Sequence, residues 1–516
     1  MSKIKFLDFA KNVEYNRKKL INVARSTGVP VEDNYSLSSV TEVLNTLADK
    51  PLPENTFKIR WVGPDKEYAT TFVKQGEQAI PPITPNFDEE RLEFIGWTET
   101  SDTTNVQKDI DCGAMYRVKA DENGRRWTHL FCSFDTDSGL SVTIPYNKLT
   151  ADSLLIVDWG DETIEEITES ATGTLTHTYS DYGNYVIKLW CDKSGWKLNT
   201  SSSTFMLGKQ AVCYALYKFY WGDNLTQTDY LFFRCYALRT VIFPTTLSTL
   251  GGSSWFYYNV ALCNVIIPTG VTVLDGTRCF SDKYGLVNLI LPNTLTYIGG
   301  FTDPAYLSNV ILPDSLETWW YLTAFSGVSK VNVPKGVKSI QFSTARQLNE
   351  ITFEKDSELI EFTSFNAYSL KHLDLTNVTK LTRFTGLTGS YALEKVILPQ
   401  VINPEITSIA FSSAISLKTI VLPQDFNCAL NLGRSAGLDL TSIIDLALKL
   451  KDNTNAATKT LTLSFFLKAS LNNLYINELG EYRYCAADGF TPILEYIVNK
   501  NWTLSFNKNT DKPNYY

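Results

Sequence analysis

The chain has 516 residues, of which 44% are hydrophobic and 20% are charged, so it is long enough to form several packed domains. Its formal net charge of −8 argues against nucleic-acid binding, because nucleic-acid-binding proteins carry a basic surface. No run of about 18 apolar residues occurs, so we expect no membrane insertion. The first residues are charged and lack the apolar segment of a secretory signal, so we expect synthesis in the cytoplasm.

Residues 1–50 are predicted to form short helices that cannot bury a core of their own. The first has an apolar cluster at helical spacing that includes Leu20 and Ile21, and a second helical segment contains Val40 and Leu44. We therefore expect this segment to dock on another protein, with these four side chains as candidate anchor residues.

Two β domains are predicted to follow the helical segment. Residues 55–100 alternate apolar and polar side chains, which is typical of a small β module. Residues 108–197 contain the strand-like segments MYRVKA, LSVTIPY, LLIVDWG and YVIKLW, separated by turn residues at the spacing of a β-sandwich. A polar spacer at 198–204 ends this part of the chain.

The second β domain carries a specific motif, in which Val157-Asp-Trp-Gly-Asp161 is followed by His177-Thr-Tyr and a Gly-Asn-Tyr-Val segment. This motif resembles the PKD (polycystic kidney disease) type of immunoglobulin-like sandwich, which implies that the turn and the His-x-Tyr strand mark its core. An acidic cluster at the turn, including Asp158 and Asp161, offers oxygen ligands of the kind that Ca²⁺ prefers. The cluster lacks the ordered spacing of a calcium loop, so a solvated turn is the favoured interpretation.

The most informative pattern is a short repeat, Leu-x-x-Val/Ile-x-Leu/Ile/Phe-Pro, of which nine variants lie between Leu238 and Pro423. Successive copies are 20–24 residues apart, which is typical of a solenoid. A looser apolar segment follows several copies, such as TLSTLGG or TLTYIGG, so two strands per repeat are predicted over residues 205–425. This array resembles the BspA-type leucine-rich repeats of Bacteroidetes surface proteins and of their phages.

Residues 426–516 leave the repeat period and predict an α/β cap. LTSIIDLALKLKDN has helical periodicity, TKTLTLS predicts a strand, Thr491-Pro492 predicts the N-cap and first residue of a helix, and KNWTLSF predicts a final strand. Such a unit would close the apolar end of a solenoid. The predicted fold is therefore mainly β: a leucine-rich-repeat β-solenoid, preceded by a short helical anchor and two small β domains, the second immunoglobulin- or PKD-like, and followed by the cap.

No catalytic constellation is apparent, because none of the three histidines has a Ser, Asp or Cys partner in a recognisable motif. We therefore expect neither enzyme activity nor a cofactor or metal. Aromatic residues in loops between strands are candidate binding residues, because flat rings stack on sugars and anchor protein partners. The candidates are Trp255, Tyr257, Tyr258, Trp319, Trp320 and Tyr321. If they were buried, these rings would instead fill the core of the solenoid.

The chain begins with a segment that cannot form a core of its own, followed by two β modules, a repeat array and a cap. This order is that of an adhesin. The lack of an export signal, together with the resemblance to phage-encoded repeat proteins, favours a head- or tail-fibre protein in the virion of a phage that infects Bacteroidetes. Its N-terminus would bind other virion proteins, its repeats would bind a host surface glycan or protein, and a homo-oligomer is expected. A bacterial surface adhesin and a capsule-polysaccharide depolymerase are the alternatives.

Overall fold

The computed structural model describes residues 54–507 with internal gaps. The gaps are 84–85, 137, 149–151, 169–171, 195, 199–205, 208–212, 227–231, 233, 252–255, 257–258, 276–285, 300–306, 308–309, 320–327, 343–346, 365, 388 and 412. The helices predicted within residues 1–50 lie outside the described part, and so do the candidate anchor residues Leu20, Ile21, Val40 and Leu44. None of the described helices is long and apolar enough to cross a membrane.

The first module is one four-stranded sheet. Its strands are β1 (Thr56–Val62), β2 (Glu67–Lys74), β3 (Leu92–Glu99) and β4 (Ile110–Val118). The order is β2-β1-β4-β3, with β4 parallel to β1 and antiparallel to β3. The predicted boundary at residue 108 would place the segment MYRV in the second β domain, whereas this segment lies in β4 and pairs with the first module. Pairing with distant strands decides the sheet to which β4 belongs, and a local pattern does not contain that information.

The second β domain has two facing sheets. Its strands are β5 (Thr128–Phe134), β6 (Ser141–Lys148), β7 (Leu155–Asp158), β8 (Ile164–Ile167), β9 (Thr172–Thr178), β10 (Gly183–Cys191), β11 (Trp196–Leu198) and β12 (Met206–Leu207). One sheet contains β5-β10-β7-β8, and in the other β6 pairs with β9, β11 and β12. Trp159, Tyr179 and Trp196 are buried in the core between them.

The solenoid is joined to this sandwich by hydrogen bonds between strands. The connecting strands are β13 (Leu216–Tyr220), β14 (Leu225–Thr226) and β15 (Thr240–Ile242). β13 pairs antiparallel with β5 of the sandwich and parallel with β15, the strand of the first repeat copy. The sandwich and the solenoid consequently share one hydrophobic core.

The repeat array is a β-solenoid of about seven turns over residues 218–431, which confirms the predicted fold class. The remaining strands of the array are, in chain order, β16 (Thr249–Gly251), β17 (Asn264–Ile266), β18 (Val273–Asp275), β19 (Asn288–Ile290), β20 (Tyr297–Gly299), β21 (Thr318–Trp319), β22 (Lys330–Val333), β23 (Ser339–Phe342), β24 (Glu350–Phe353), β25 (Glu361–Ser364), β26 (His372–Asp374), β27 (Arg383–Leu387), β28 (Lys395–Ile397), β29 (Ser408–Ala410), β30 (Thr419–Val421) and β31 (Ala429–Leu432).

The two strands of each repeat stack into different parallel sheets. The strands of the Leu-x-x-Val/Ile motif form the pair β17-β19 and the five-stranded sheet β22-β24-β26-β28-β30. The strands of the looser segments form a sheet that begins with β16-β18-β20-β21 and continues through β23, β25, β27 and β29 to β31. Among the described residues of the fourth copy, 307 and 310–313, no strand is formed, so the first sheet is interrupted there.

The C-terminal cap is an α/β unit, as the sequence predicts. Its elements are α1 (Leu440–Lys449), β32 (Lys459–Ser464), a 3-10 turn (Phe465–Leu467), α2 (Lys468–Leu471), β33 (Tyr475–Ile476), β34 (Tyr482–Arg483), β35 (Thr491–Pro492), α3 (Ile493–Asn499) and β36 (Trp502–Asn507). β32 and β36 extend the sheet of β31, and α1 lies against the edge strand β30. The Ser442 hydroxyl of α1 accepts the Ile420 N–H and donates to the Ile420 carbonyl, so it satisfies that edge. The third helix begins one residue later than predicted, since Pro492 is its N-cap.

Candidate functional site

The strands β22, β24, β26, β28 and β30 present a polar outer surface, which we call the open face. Side chains alternate along a strand, so the apolar residue at each centre is buried while its neighbours point outward. The buried ladder consists of Val331, Ile351, Leu373, Val396 and Ile420. The row of side chains beside it on the open face consists of Lys330, Glu350, His372, Lys395 and Thr419, all of them at least partly exposed.

Polar contacts link neighbouring rungs of the open face. The Lys330 ammonium lies 2.6 Å from a Glu350 carboxylate oxygen, and the Lys418 ammonium lies 3.0 Å from Glu394. The hydrogen bond and the positive charge of Lys418 hold the pKa of the Glu394 carboxyl below its ordinary value. Ion pairs this exposed contribute little stability, because water screens them. These charges are therefore available to a partner at little cost to the fold.

An exposed pair of tyrosines borders the open face. Tyr368 and Tyr391 each stand two residues before the first Leu of a repeat copy, so the period places them side by side. Their rings are stacked with centroids 5.9 Å apart, and they are 38% and 40% exposed. Partly exposed tyrosines of this kind are enriched in binding surfaces, because the ring is apolar and the hydroxyl is polar.

The first module covers the corresponding face of the earlier repeats, where β4 contacts β15, β17 and β19. At Gly113 of β4, a Cβ atom would lie 2.5 Å from the Ile266 side chain, so this approach requires glycine. Asn288 donates to the side-chain oxygen of Asn264 at 2.9 Å, and Asn264 donates to the Gly63 carbonyl at 3.2 Å. Among the described residues, the first module therefore covers this face of the array as far as β19.

Arg60 belongs to a buried ion pair within the module and also bonds to the array. The Arg60 guanidinium donates two hydrogen bonds to Asp111, at 2.7 and 2.5 Å, and a third to the Asn288 side chain at 2.9 Å. The Asp111 side chain is 1% exposed and that of Arg60 12%. Burial raises the pKa of the Asp111 carboxyl, while the hydrogen bonds and charge of Arg60 oppose that rise.

A lysine marks the boundary between the covered and the open repeats. Lys108 forms ion pairs with Asp314 and, at 2.8 Å, with Glu354. Glu354 stands where seven of the nine repeat copies have Pro, and its other oxygen accepts the Lys335 N–H at 3.0 Å. A cleft of about 800 Å³ lies between the module and the repeats at this point.

Of the six predicted aromatic binding residues, Trp319 lies in the described part of the chain, and its side chain is buried. Trp319 is 0% exposed and stacks in register between Ile298 and Ile340, at the inward position of its strand. The binding interpretation is therefore wrong for Trp319, and the alternative, that the ring fills the core, is right. The other candidates lie outside the described residues, namely Trp255, Tyr257, Tyr258, Trp320 and Tyr321.

The carboxylates of the acidic turn have partners within the protein. Asp158 lies 2.9 Å from the Lys188 ammonium, and Asp161 lies 2.7 Å from a His177 ring nitrogen. Although burial opposes the shift, the hydrogen bonds of His177 and Thr163 hold the pKa of Asp161 below its ordinary value. Within the described ranges, no three His, Cys, Asp or Glu residues are grouped so that they could hold a metal ion.

Six of the eight cysteines in the described part of the chain are buried, and all eight are free thiols. Burial raises the pKa of Cys191 to about 12 and that of Cys428 to about 11, which makes these thiols unreactive. Cys263 is exposed, contrary to what its apolar sequence context suggests, because its position lies just before the buried part of the strand.

Comparison with known proteins bears on the repeats. A family model described as BspA type Leucine rich repeat region matches residues 211–332 and 321–431, with six copies. The repeat region is therefore similar to BspA-type repeats. No curated protein and no solved structure matches the chain. BspA-type repeats indicate a surface adhesin or another binding-repeat protein. The resemblances to a PKD sandwich and to phage proteins stay predictions.

Proposed function

We propose that this chain is a non-enzymatic attachment protein whose BspA-type array binds a glycan or a protein on a cell surface. The observation that carries the proposal is the asymmetry of the array: β4 covers the face of β17 and β19, whereas the same face of β22–β30 presents exposed charges and the Tyr368–Tyr391 pair. An extended, polar and partly aromatic surface of this kind suits recognition of a large partner.

Binding of the labelled full chain to target cells tests this function. Reversal of the Lys395 charge, as Lys395→Glu, should weaken cell binding about ten-fold, a typical effect for a charged contact in an interface. Arg383→Glu is the matched control, because Arg383 is an exposed cation on the sheet of the looser segments. Equal binding by both variants and the unchanged protein would exclude the open face as the contact surface.

A more specific proposal is that the protein is a virion fibre of a phage that infects Bacteroidetes. Residues 1–50 attach the fibre to the capsid or tail, the β modules act as a stalk, and homo-oligomers display the repeats outward. The resemblance of the array to repeats of Bacteroidetes surface proteins and their phages supports this form. Removal of residues 1–50 should abolish incorporation into particles and leave the repeats folded. Particles that still contain the truncated protein would disprove the anchor.

The match to BspA-type repeats favours a second candidate, a bacterial cell-surface adhesin. Fractionation of cells that express the protein separates the two, because an adhesin would be found at the cell surface in the absence of virions. A depolymerase is the remaining alternative. New reducing ends after incubation with capsule polysaccharide would establish it.

A further inference from the structure

The cap contains a pocket of about 410 Å³ at the far end of the solenoid, which we call the cap pocket. It lies between the turn that follows β33, the chain around β35 and the C-terminal end of α3. The turn is held by Asn477, whose side-chain oxygen accepts the N–H groups of Leu479 and Glu481 at 3.1 and 2.9 Å. The volume is in the range of small-molecule sites, about 300–1,000 Å³.

Besides Asn477, polar residues of three segments line this pocket. They are the Glu478 carboxylate, the Thr491 hydroxyl and the Asn499 amide. The larger cleft beside Lys108 is also lined by polar residues, but Lys108 itself is paired there with Asp314 and Glu354. Because Glu478 and Asn499 are exposed, their hydrogen bonds to water can be exchanged for hydrogen bonds to a ligand.

Tyr496 forms an aromatic wall of the cap pocket. The Lys500 ammonium lies 4.8 Å from the centre of its ring, so the position of the ring is fixed by a cation–π contact. That ammonium also donates to three carbonyls at the end of α1, those of Ala447, Leu448 and Leu450, at 2.9–3.1 Å. The lysine charge is therefore committed to the fold.

The donor set of the pocket selects among classes of ligand. A carboxylate, a carboxamide and a hydroxyl exchange hydrogen bonds with hydroxyl groups, and an aromatic ring packs against the C–H face of a pyranose. No lining side chain is cationic, so a phosphate, sulfate or acidic sugar would meet only the negative charge of Glu478. We propose that the cap pocket binds a neutral hexose unit of a surface glycan. The proposal deepens the attachment function proposed above and rests on it.

Saturation-transfer NMR on the full chain tests the site directly. The separate sugar probes are the methyl glycosides of glucose, galactose and mannose and N-acetylglucosamine, and methylammonium is the amine probe. At least one probe should bind saturably. Glu478→Gln and Asn499→Ala should each weaken that binding about ten-fold, because the first replaces a charged acceptor with a neutral amide and the second removes the amide. Glu495→Gln and Asn472→Ala are matched controls, since both residues are exposed in the cap and do not line the pocket, and binding should be unchanged.

Three results would overturn the assignment: no binding of any neutral sugar, binding that both pocket variants leave unchanged, or binding of methylammonium in place of sugars. The last result would make the pocket a site for amines. The cell-binding assay separates this inference from the proposed function. Protein that attaches to cells but binds no sugar refutes the cap pocket alone, whereas protein that binds a sugar but no cell refutes the attachment function.

Discussion

Replacement of Asp111 by alanine should destabilise the first module strongly, because it leaves the guanidinium of Arg60 buried without its carboxylate. Two unit charges about 4 Å apart at an effective dielectric constant of about 20 attract each other by about 4 kcal/mol. Removal of one partner from a buried ion pair costs about 3–5 kcal/mol in other proteins. The two estimates agree, and the exposures of 1% and 12% place this pair in the buried class. We expect the free energy of unfolding to fall by about 3–5 kcal/mol.

Urea unfolding followed by tryptophan fluorescence provides the measurement, because the Trp61 and Trp97 rings lie 5.0 Å apart within the same sheet. Arg117→Ala is the control, since Arg117 pairs with Glu93 at the surface of the same module and should cost less than about 1 kcal/mol. The double variant Arg60→Met with Asp111→Leu should recover most of the loss, because it leaves no buried charge. A loss below about 1 kcal/mol in Asp111→Ala, or purely additive effects in the double variant, would refute this reasoning.

Three further predictions concern the array and its junctions. Trp319→Ala should cost about 3–5 kcal/mol in urea unfolding, because it empties a fully buried position in the solenoid. Burial lowers the pKa of His129 to about 4, so the folded state holds the imidazole neutral while the unfolded chain protonates it near 6.5. Stability should therefore fall by about 2 kcal/mol between pH 7 and pH 5, and His129→Gln should lose this dependence in thermal melts at the two pH values. Glu354→Pro restores the repeat consensus but removes an acceptor of Lys108 and the N–H that donates to the Val333 carbonyl. Hydrogen exchange should therefore speed up around Lys108 and not in β26.

The solenoid could be predicted from sequence because its determinants are local. Each copy of the motif alternates apolar and polar residues, and the period brings like positions together, so the buried ladder follows from the pattern alone. The cap helix α1 and the strand β32 were likewise predictable from their own periodicity. The docking of the first module was not, because it depends on contacts between segments about 200 residues apart, such as that of Arg60 with Asn288.

Two signals of that docking were nevertheless present in the sequence. Gly113 interrupts an apolar strand, and a glycine inside a strand often marks the close approach of another chain segment. Glu354 replaces the usual Pro of the repeat, and its carboxylate pairs with Lys108. The orientation of Trp319 and the cap pocket could not be predicted in this way. The orientation of Trp319 depends on strand register. The cap pocket combines groups from separate segments of an irregular region.

The double pairing of β13 constrains how this kind of protein can change its binding specificity. Because β13 pairs with both β5 and β15, the sandwich forms the first rung of the array and shields the end of its core. An exchange of the whole array between related chains at the polar spacer 198–204 would separate β13 from β5 and expose that core. Viable recombination junctions should instead lie between the later rungs, where each repeat contacts only its neighbours. New specificities would then arise by exchange of the distal repeats and the cap, on a proximal part that stays constant.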